Sequence, residues 1–217
     1  MKVGTDGVLL GAWAEGGLRI LDIGTGTGLI ALMMAQRYDE ATITGVDIDH
    51  EAAMQARDNV SRTPFANRIS IIESPVQNLT ADTHGKFDAI VCNPPFFNDS
   101  LKNPDQHRAV ARHADPLPYR QLFHTVAQLL TADGVFSAVI PSDCLSAFCT
   151  EAYMANLTPS RRCAIRTTQR KQPKRCLIAF RHASCPHEFT SEEQCLQDAF
   201  GNRSGWYQQL TSDFYIK

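Results

Sequence analysis

The chain lacks the sequence features of membrane proteins and secreted proteins. No apolar run approaches the roughly 20 residues that a membrane span requires, and residues 1–4 lack the apolar core of a signal peptide. The seven cysteines are an odd number and contain no C-x-x-C pair, which indicates free thiols in a reducing compartment. We therefore expect a cytoplasmic protein without a membrane partner.

The chain also lacks a strong charge imbalance and a metal-ligand pattern. Its 21 Lys and Arg residues against 23 Asp and Glu residues give a formal net charge of −2. This balance argues against a protein that binds nucleic acid over its whole surface. It does not exclude a local basic patch. The cysteines and histidines between Cys176 and Cys195 match no usual zinc spacing, so we expect no metal.

Strand and helix patterns alternate along the chain. Strands are predicted at 19–23, 42–48, 68–73, 87–92, 135–140, 163–168 and 176–180, and helices at 29–37, 51–61, 119–130 and 142–156. This alternation indicates an α/β fold, with a seven-stranded, mostly parallel sheet and helices on both faces. No linker divides it, so one domain is expected, with an N-terminal segment 1–18, a core 19–142 and a C-terminal part 143–217.

The most informative motif is Asn93-Pro94-Pro95-Phe96, which follows the predicted strand 87–92. Two prolines cannot donate to a sheet ladder, so the strand must end here. Open α/β sheets bind their ligands at the carboxyl ends of strands. The Asn93 side-chain oxygen and the Pro94 backbone carbonyl can accept two amino hydrogens while the Phe ring covers a flat face. The motif therefore predicts a site for a planar group that carries an NH2.

A glycine-rich turn, Asp22-Ile23-Gly24-Thr25-Gly26-Thr27-Gly28, joins the first strand to the first helix. The dinucleotide pattern G-x-G-x-x-G would require a glycine at Leu29, so the nicotinamide pattern fails by one residue. The turn instead resembles the cofactor turn of S-adenosylmethionine-dependent methyltransferases of the Rossmann-like class. Asp47 ends the second strand, where a carboxylate can accept both ribose hydroxyls.

The resemblance is weaker after the third strand. Methyltransferases of this class often have an acidic residue there that accepts from the cofactor's adenine amino group. Here the segment reads Glu73-Ser74-Pro75-Val76-Gln77, with Pro75 near the expected carboxylate. Backbone or Gln77 is expected to replace it, and Ile48, Val76 and Asn93 are included among the predicted cofactor-binding residues.

Asn-Pro-Pro-aromatic is similar to the catalytic motif of methyltransferases that modify adenine N6, guanine N2 or glutamine in release factors. The opening segment 2–13, the glycine turn, the Asn-Pro-Pro-Phe motif and the closing Phe214-Tyr215 together resemble the bacterial tRNA1(Val) (adenine-37-N6)-methyltransferase family. The resemblance covers nearly the whole chain and implies a class I methyltransferase fold, S-adenosyl-L-methionine as cofactor and tRNA as substrate. Family members usually carry an extra N-terminal segment, so this chain is expected to be truncated or a shorter form.

The resemblance implies further site residues and leaves alternatives open. Lys2, Thr5 and Asp6 are implied to contact the methionine end of the cofactor. Phe96 stands where adenine-modifying members commonly have Tyr and where guanine-N2 enzymes often have Phe. A guanine-N2 rRNA methyltransferase and a glutamine-N5 protein methyltransferase, which use the same Asn-Pro-Pro-aromatic chemistry, therefore stay open as alternatives. The missing acidic residue after the third strand also leaves open a non-catalytic RNA-binding module of this fold.

One segment of the chain lacks acidic residues. Between Ala152 and His187 there is no Asp or Glu, and this one-sign run fits a phosphate-binding surface. The long polar loop 97–118 adds cations close to the target base. The predicted RNA-binding residues are Arg108, Arg112, Arg161, Arg162, Arg170, Lys171, Lys174 and Arg175. We expect a monomer.

Overall fold

The computed structural model describes residues 4–95 and 117–215, which form an eight-stranded sheet flanked by helices. The strands are β1 (Arg19–Ile23), β2 (Thr42–Asp47), β3 (Ile69–Glu73), β4 (Phe87–Cys92), β5 (Leu130–Pro141), β6 (Leu157–Arg166), β7 (Arg175–His182) and β8 (Thr190–Cys195). The helices are α1 (Thr5–Trp13), α2 (Leu29–Arg37), α3 (His50–Ser61), α4 (Ala81–His84), α5 (Tyr119–Leu129), α6 (Leu145–Met154) and α7 (Gly205–Leu210). The predicted α/β class is confirmed, with eight strands instead of seven.

Five strands form the parallel part of the sheet, in the order β3-β2-β1-β4-β5. The chain runs from β1 outward to β3 and then returns to β4 on the other side of β1. Such a reversal of strand order opens a crevice beyond the carboxyl ends of the strands, where open α/β sheets bind ligands. We call this end of the sheet the carboxyl edge.

The remaining strands continue the sheet in mixed directions. β7 pairs antiparallel with β5 and with β6, and β8 pairs parallel with β6. The register places Arg175, the first residue of β7, opposite Pro141, the last residue of β5. The connection 167–174 between β6 and β7 therefore lies at the carboxyl edge, whereas Arg181 lies at the opposite edge.

Each face of the sheet buries its own apolar cluster. On one face α1 and α2 pack with side chains such as Leu9, Trp13 and Met34. On the other face the ring of Phe123 in α5 lies 4.7 Å from that of Phe148 in α6 and 5.4 Å from that of Phe180 in β7. Burial of each such side chain contributes about 1.5–3 kcal/mol, so these two layers hold the strand ends of the carboxyl edge in place.

Several element boundaries differ from the sequence-based prediction. The helix predicted at 142–156 begins later than expected, because residues Ser142–Cys144 form a 3-10 turn and α6 begins only at Leu145. The predicted cofactor-closing segment contains α1, a helix that is buried on nearly all sides because Val8–Trp13 are mostly apolar. α3 begins where expected because the Asp49 side chain accepts from the backbone N–H of Ala52.

Three further observations concern the membrane, metal and thiol predictions. Within residues 4–95 and 117–215, no helix is long and apolar enough to cross a membrane. The same ranges contain no group of three or more His, Cys, Asp or Glu side chains arranged to hold a metal ion. All seven cysteines are free thiols.

Candidate active site

The glycine turn after β1 has left-handed backbone that leaves room for a ligand. Gly24 has φ of 68° and Gly26 has φ of 56°, and a Cβ added at either would meet no atom within 4 Å. The backbone N–H groups of Gly24 and Thr25 both donate to the Val46 carbonyl, at 2.9 and 3.0 Å. The turn is therefore fixed to β2 while its outer side stays open to a ligand.

Asp22 anchors this turn from inside the protein. Its side chain is fully buried, and its Oδ2 accepts from Thr25 Oγ1 at 2.7 Å and from the Ala31 N–H at 3.1 Å. Burial raises the pKa of the Asp22 carboxyl to about 7, although these two hydrogen bonds act in the opposite direction. Its Oδ1 has no hydrogen-bond partner among the described residues. Asp22 thus holds the turn, and its contact with the cofactor stays a prediction.

Asp47 lies at the end of β2, directly beside the glycine turn. Its Oδ2 accepts from the Gly26 N–H at 2.8 Å, and its Oδ1 accepts from the Asp49 N–H at 3.0 Å. These bonds fix the orientation of the carboxylate and leave further lone pairs, so both oxygens can still accept ribose hydroxyls. The next residue, Ile48, is 51% exposed although it is large and apolar.

The segment after β3 places Val76 in a 3-10 turn, where its side chain is buried. The Ser74 N–H donates to the Asp47 carbonyl at 2.9 Å, which holds the segment against the end of β2. Gln77, expected to replace the missing acidic residue, donates instead to Gln121 Oε1 at 3.0 Å. Backbone groups of this segment are therefore the better candidates for the adenine contact.

The Asn93-Pro94-Pro95 segment follows β4 at the carboxyl edge, as predicted. Asn93 Oδ1 is buried and has no hydrogen-bond partner within residues 4–95 and 117–215. An acceptor buried without a partner costs about 1–3 kcal/mol, so this oxygen is suited to a donor that arrives with a ligand. Phe96, Lys2, Arg108 and Arg112 lie outside the described residues.

The sequence analysis missed Ser142 as a site residue. It follows β5, the strand next to β4, and its Oγ is also buried without a partner in the described part of the chain. Ser142 and Asn93 thus place two unsatisfied polar atoms at the ends of neighbouring strands. The available signal was its position just after a predicted strand, which Asn93 shares.

The N-terminal helix brings Thr5 and Asp6 to the same edge. A Cβ added at Gly7 would lie 3.2 Å from Leu29 Cδ2, so the first turn of α1 packs against the first turn of α2, just beyond the glycine turn. Asp6 Oδ2 accepts from Arg175 Nε at 2.7 Å. The structure therefore brings Asp6 to the predicted cofactor site but pairs it with a residue predicted to bind RNA.

The predicted basic run divides into two groups in the structure. Cations on the strands form ion pairs: Arg161 with Glu192 at 3.2 Å, Arg166 with Glu193, Arg175 with Asp6 at 2.7 Å and Arg181 with Glu15 at 2.7 Å. Arg162 donates to Ser191 Oγ at 3.1 Å.

By contrast, the exposed residues Arg170, Lys171 and Lys174 of the connection 167–174 form no ion pair with any residue that the structure describes. Sequence analysis missed Glu192 and Glu193 as partners because β8 was not predicted, and it missed Asp6 and Glu15 because they are remote in sequence from Arg175 and Arg181.

Comparison with known proteins places this arrangement in a family. The sequence profile of the methyltransferase small domain matches residues 6–144, which include the glycine turn, Asp47 and Asn93. The chain belongs to this family. A tRNA1(Val) (adenine(37)-N6)-methyltransferase of Bacteroides fragilis is 44% identical and covers 100% of this chain, which spans 92% of that protein. The enzyme of the same name from Bacteroides thetaiotaomicron is 45% identical, with 100% and 91% covered.

Solved structures support the fold. A predicted O-methyltransferase of Agrobacterium tumefaciens superimposes with a TM-score of 0.70 at 19% identity, over 96% of each chain. A glycopeptide N-methyltransferase in complex with S-adenosyl-L-methionine gives a TM-score of 0.59 at 9% identity, over 82% of this chain and 94% of that one. The methyltransferase small domain described here therefore has the predicted class I methyltransferase fold.

Proposed function

We propose that this methyltransferase transfers a methyl group from S-adenosyl-L-methionine to N6 of adenine 37 in a valine tRNA, in the cytoplasm and as a monomer. The observation that carries the proposal is the buried Asn93 Oδ1, which has no partner among the described residues and lies at the carboxyl edge beside the glycine turn. The names of the relatives, at 44–45% identity over nearly their full length, supply the nucleotide and the tRNA.

The residues present fit the proposed cofactor. The open outer side of Gly24 and Gly26 accepts its amino-acid part, and the oriented Asp47 carboxylate accepts its ribose hydroxyls. Ile48, exposed beside Asp47, and Val76 line the adenine. When bound, S-adenosyl-L-methionine supplies an activated methyl group.

Asn93 and Pro94 orient the target amine in the proposed mechanism. The adenine N6 lone pair is delocalised into the ring, which makes N6 a poor nucleophile. The Asn93 side-chain oxygen and the Pro94 carbonyl accept the two N6 hydrogens and turn the lone pair towards the methyl group. Phe96 is proposed to stack on the base. Catalysis then comes from positioning and from preorganised dipoles rather than from a general base.

We propose the connection 167–174 as the principal RNA-binding element. It lies at the carboxyl edge with Asn93, and its Arg170, Lys171 and Lys174 are exposed and unpaired in the described part of the chain. Three such cations neutralise phosphates without first breaking an ion pair. Arg161, Arg162 and Arg175, with protein partners already, are second to them; Arg108 and Arg112 complete the predicted set.

The proposed function is tested with purified protein and tRNA transcripts. We expect methyl transfer from labelled S-adenosyl-L-methionine to a valine tRNA transcript, no transfer when adenine 37 is replaced by guanine, and N6-methyladenosine as the product in nucleoside mass spectrometry. N2-methylguanosine as the product would instead support the guanine alternative that Phe96 left open. If the protein methylates a glutamine of a release factor and leaves the tRNA unmethylated, this result would support the glutamine-N5 protein methyltransferase alternative.

A further inference from the structure

Two ion pairs attach the ends of α1 to the two ends of β7. At the carboxyl edge, Asp6 in the first turn of α1 accepts from Arg175 Nε at 2.7 Å. At the opposite edge, Glu15, just after α1, accepts from Arg181 Nη2 at 2.7 Å. The pairs are chemically alike and similarly exposed, with side chains 24% and 37% exposed in the first and 46% and 23% in the second.

Neither ion pair is needed to keep α1 in place. Val8, Leu9, Leu10, Ala12 and Trp13 are all at least 95% buried against the protein, and their burial provides the main free energy of docking. Partly exposed ion pairs add little to stability. A role for either pair must therefore be sought in local geometry rather than in the folding of the helix.

Only the Asp6–Arg175 pair lies at the candidate active site. The first turn of α1 contacts the first turn of α2 through Gly7 and Leu29, directly after the glycine turn. Arg175 is opposite Pro141 at the end of β5, and β5 neighbours β4, which ends at Asn93. The pair thus connects the element beside the cofactor turn with the strand ends that carry the substrate motif.

We propose that Asp6 and Arg175 are positioning residues, which hold the first turn of α1 in the geometry that binds the cofactor. The inference rests on the proposed function because it takes S-adenosyl-L-methionine as the ligand. Arg175 acts through Asp6 and needs no contact with RNA phosphate for this role. The Glu15–Arg181 pair joins the same helix to the same strand but has no part in cofactor binding.

The test compares the two pairs by calorimetry with S-adenosylhomocysteine, which requires no turnover. For Asp6→Asn and Arg175→Gln we expect about a ten-fold higher Kd in each, and in the double variant a Kd close to that of either single one, because the two residues act as a unit. Arg175→Lys, which keeps the charge, should recover part of the affinity. Glu15→Gln and Arg181→Gln are the matched controls and should bind as the wild type does. Thermal unfolding of all variants checks that each one folds.

Each other outcome overturns the inference in a distinct way. If the Asp6–Arg175 and Glu15–Arg181 variants lose the same affinity for S-adenosylhomocysteine, both pairs stabilise α1 in general and neither has a specific role in cofactor binding. Weakening in Asp6→Asn alone would make Asp6 a direct ligand that does not need Arg175. Wild-type affinity in all variants would remove the role altogether. No binding by the wild-type protein would contradict the proposed cofactor itself, and this result separates failure of the function from failure of the inference.

Discussion

Asn93 is the residue that the proposed mechanism uses to hold the target amine. Its Oδ1 is buried without a partner among the described residues, so a substrate amine both satisfies it and is oriented by it. We expect Asn93→Ala to lower kcat by at least about 10²-fold, comparable to the loss of one preorganised hydrogen-bonding group in other active sites. The affinity for S-adenosylhomocysteine should stay within about two-fold of the wild-type value, since most of the predicted cofactor contacts come from the glycine turn, Asp47 and the other cofactor-binding residues.

Methyl-transfer assays and calorimetry on the same preparation check this prediction. A variant that keeps wild-type turnover contradicts the proposed mechanism, because that mechanism requires the Asn93 side-chain oxygen as an acceptor. Ser142→Ala is the informative comparison, since Ser142 Oγ is buried without a described partner at the neighbouring strand end. A rise in KM for tRNA in this variant alone would assign Ser142 to the binding of the base.

Asp22 gives a prediction about pH. Its folded-state pKa is raised to about 7 by burial, above the ordinary value of about 3.9 for an unfolded chain. Between these values the folded state keeps a proton that the unfolded state has lost. The contribution of Asp22 to stability is therefore complete below about pH 4 and declines by about 1.4 kcal/mol per pH unit until the carboxyl ionises near pH 7.

Asp22→Asn tests this effect because Asn keeps an oxygen for the bonds from Thr25 and Ala31, which both go to Oδ2. Denaturant unfolding without cofactor should show that the stability of the variant relative to wild type rises with pH up to about 7 and is constant above it. The effects of other titrating groups cancel when the free energy of unfolding of the wild type is subtracted from that of the variant. A difference that does not change between pH 4.5 and 7 would contradict the raised pKa.

The cations of the connection 167–174 pair with no residue that the structure describes, whereas the cations of the neighbouring strands do. We expect the triple variant Arg170→Gln, Lys171→Gln, Lys174→Gln to weaken tRNA binding. The slope of log K against log salt concentration should become shallower by about 2–3, because each lost phosphate contact removes about 0.7–0.9. Filter binding or fluorescence anisotropy at several salt concentrations measures both quantities.

Arg181→Gln is the control for charge alone, since it removes a cation from β7 at the opposite edge, where Arg181 is paired with Glu15. Its salt slope should equal that of the wild type. The control and the triple variant could also change the slope equally per charge removed. In that case the connection 167–174 does not bind the tRNA preferentially, and the summed positive charge of the whole basic run attracts it.

The elements differ in how well local sequence predicts them. β1 and β4 are short apolar runs followed by glycines or prolines, and both were found at the predicted residues. β8 reads Thr-Ser-Glu-Glu-Gln-Cys and has no apolar alternation. It is a strand because β6 offers a free edge for parallel pairing, and tertiary context of this kind overrides β-propensity.

At the scale of the whole molecule, the glycine turn predicts which ligand stabilises the fold. S-adenosylhomocysteine at 100 times its Kd should raise the free energy of unfolding by about 2.7 kcal/mol. For a chain of 217 residues that gain corresponds to a Tm increase of about 5–10 °C. NAD at the same concentration should give no shift, because Leu29 stands where the dinucleotide turn needs glycine. Differential scanning fluorimetry measures both Tm shifts. An equal shift with NAD would contradict the interpretation that the turn binds S-adenosylmethionine rather than a dinucleotide.

The class of fold, the glycine turn and the end of β4 at Asn93 could be predicted from local patterns, because they depend on periodicity and on the backbone chemistry of glycine and proline. Which charges meet depends on the packing of remote segments. Asp6 and Arg175 are 169 positions apart and become partners through the order of the strands. The acids of β8 neutralise part of a run that is uniformly basic in sequence. Electrostatic pairing acts through space, and local patterns do not contain the distances between remote side chains.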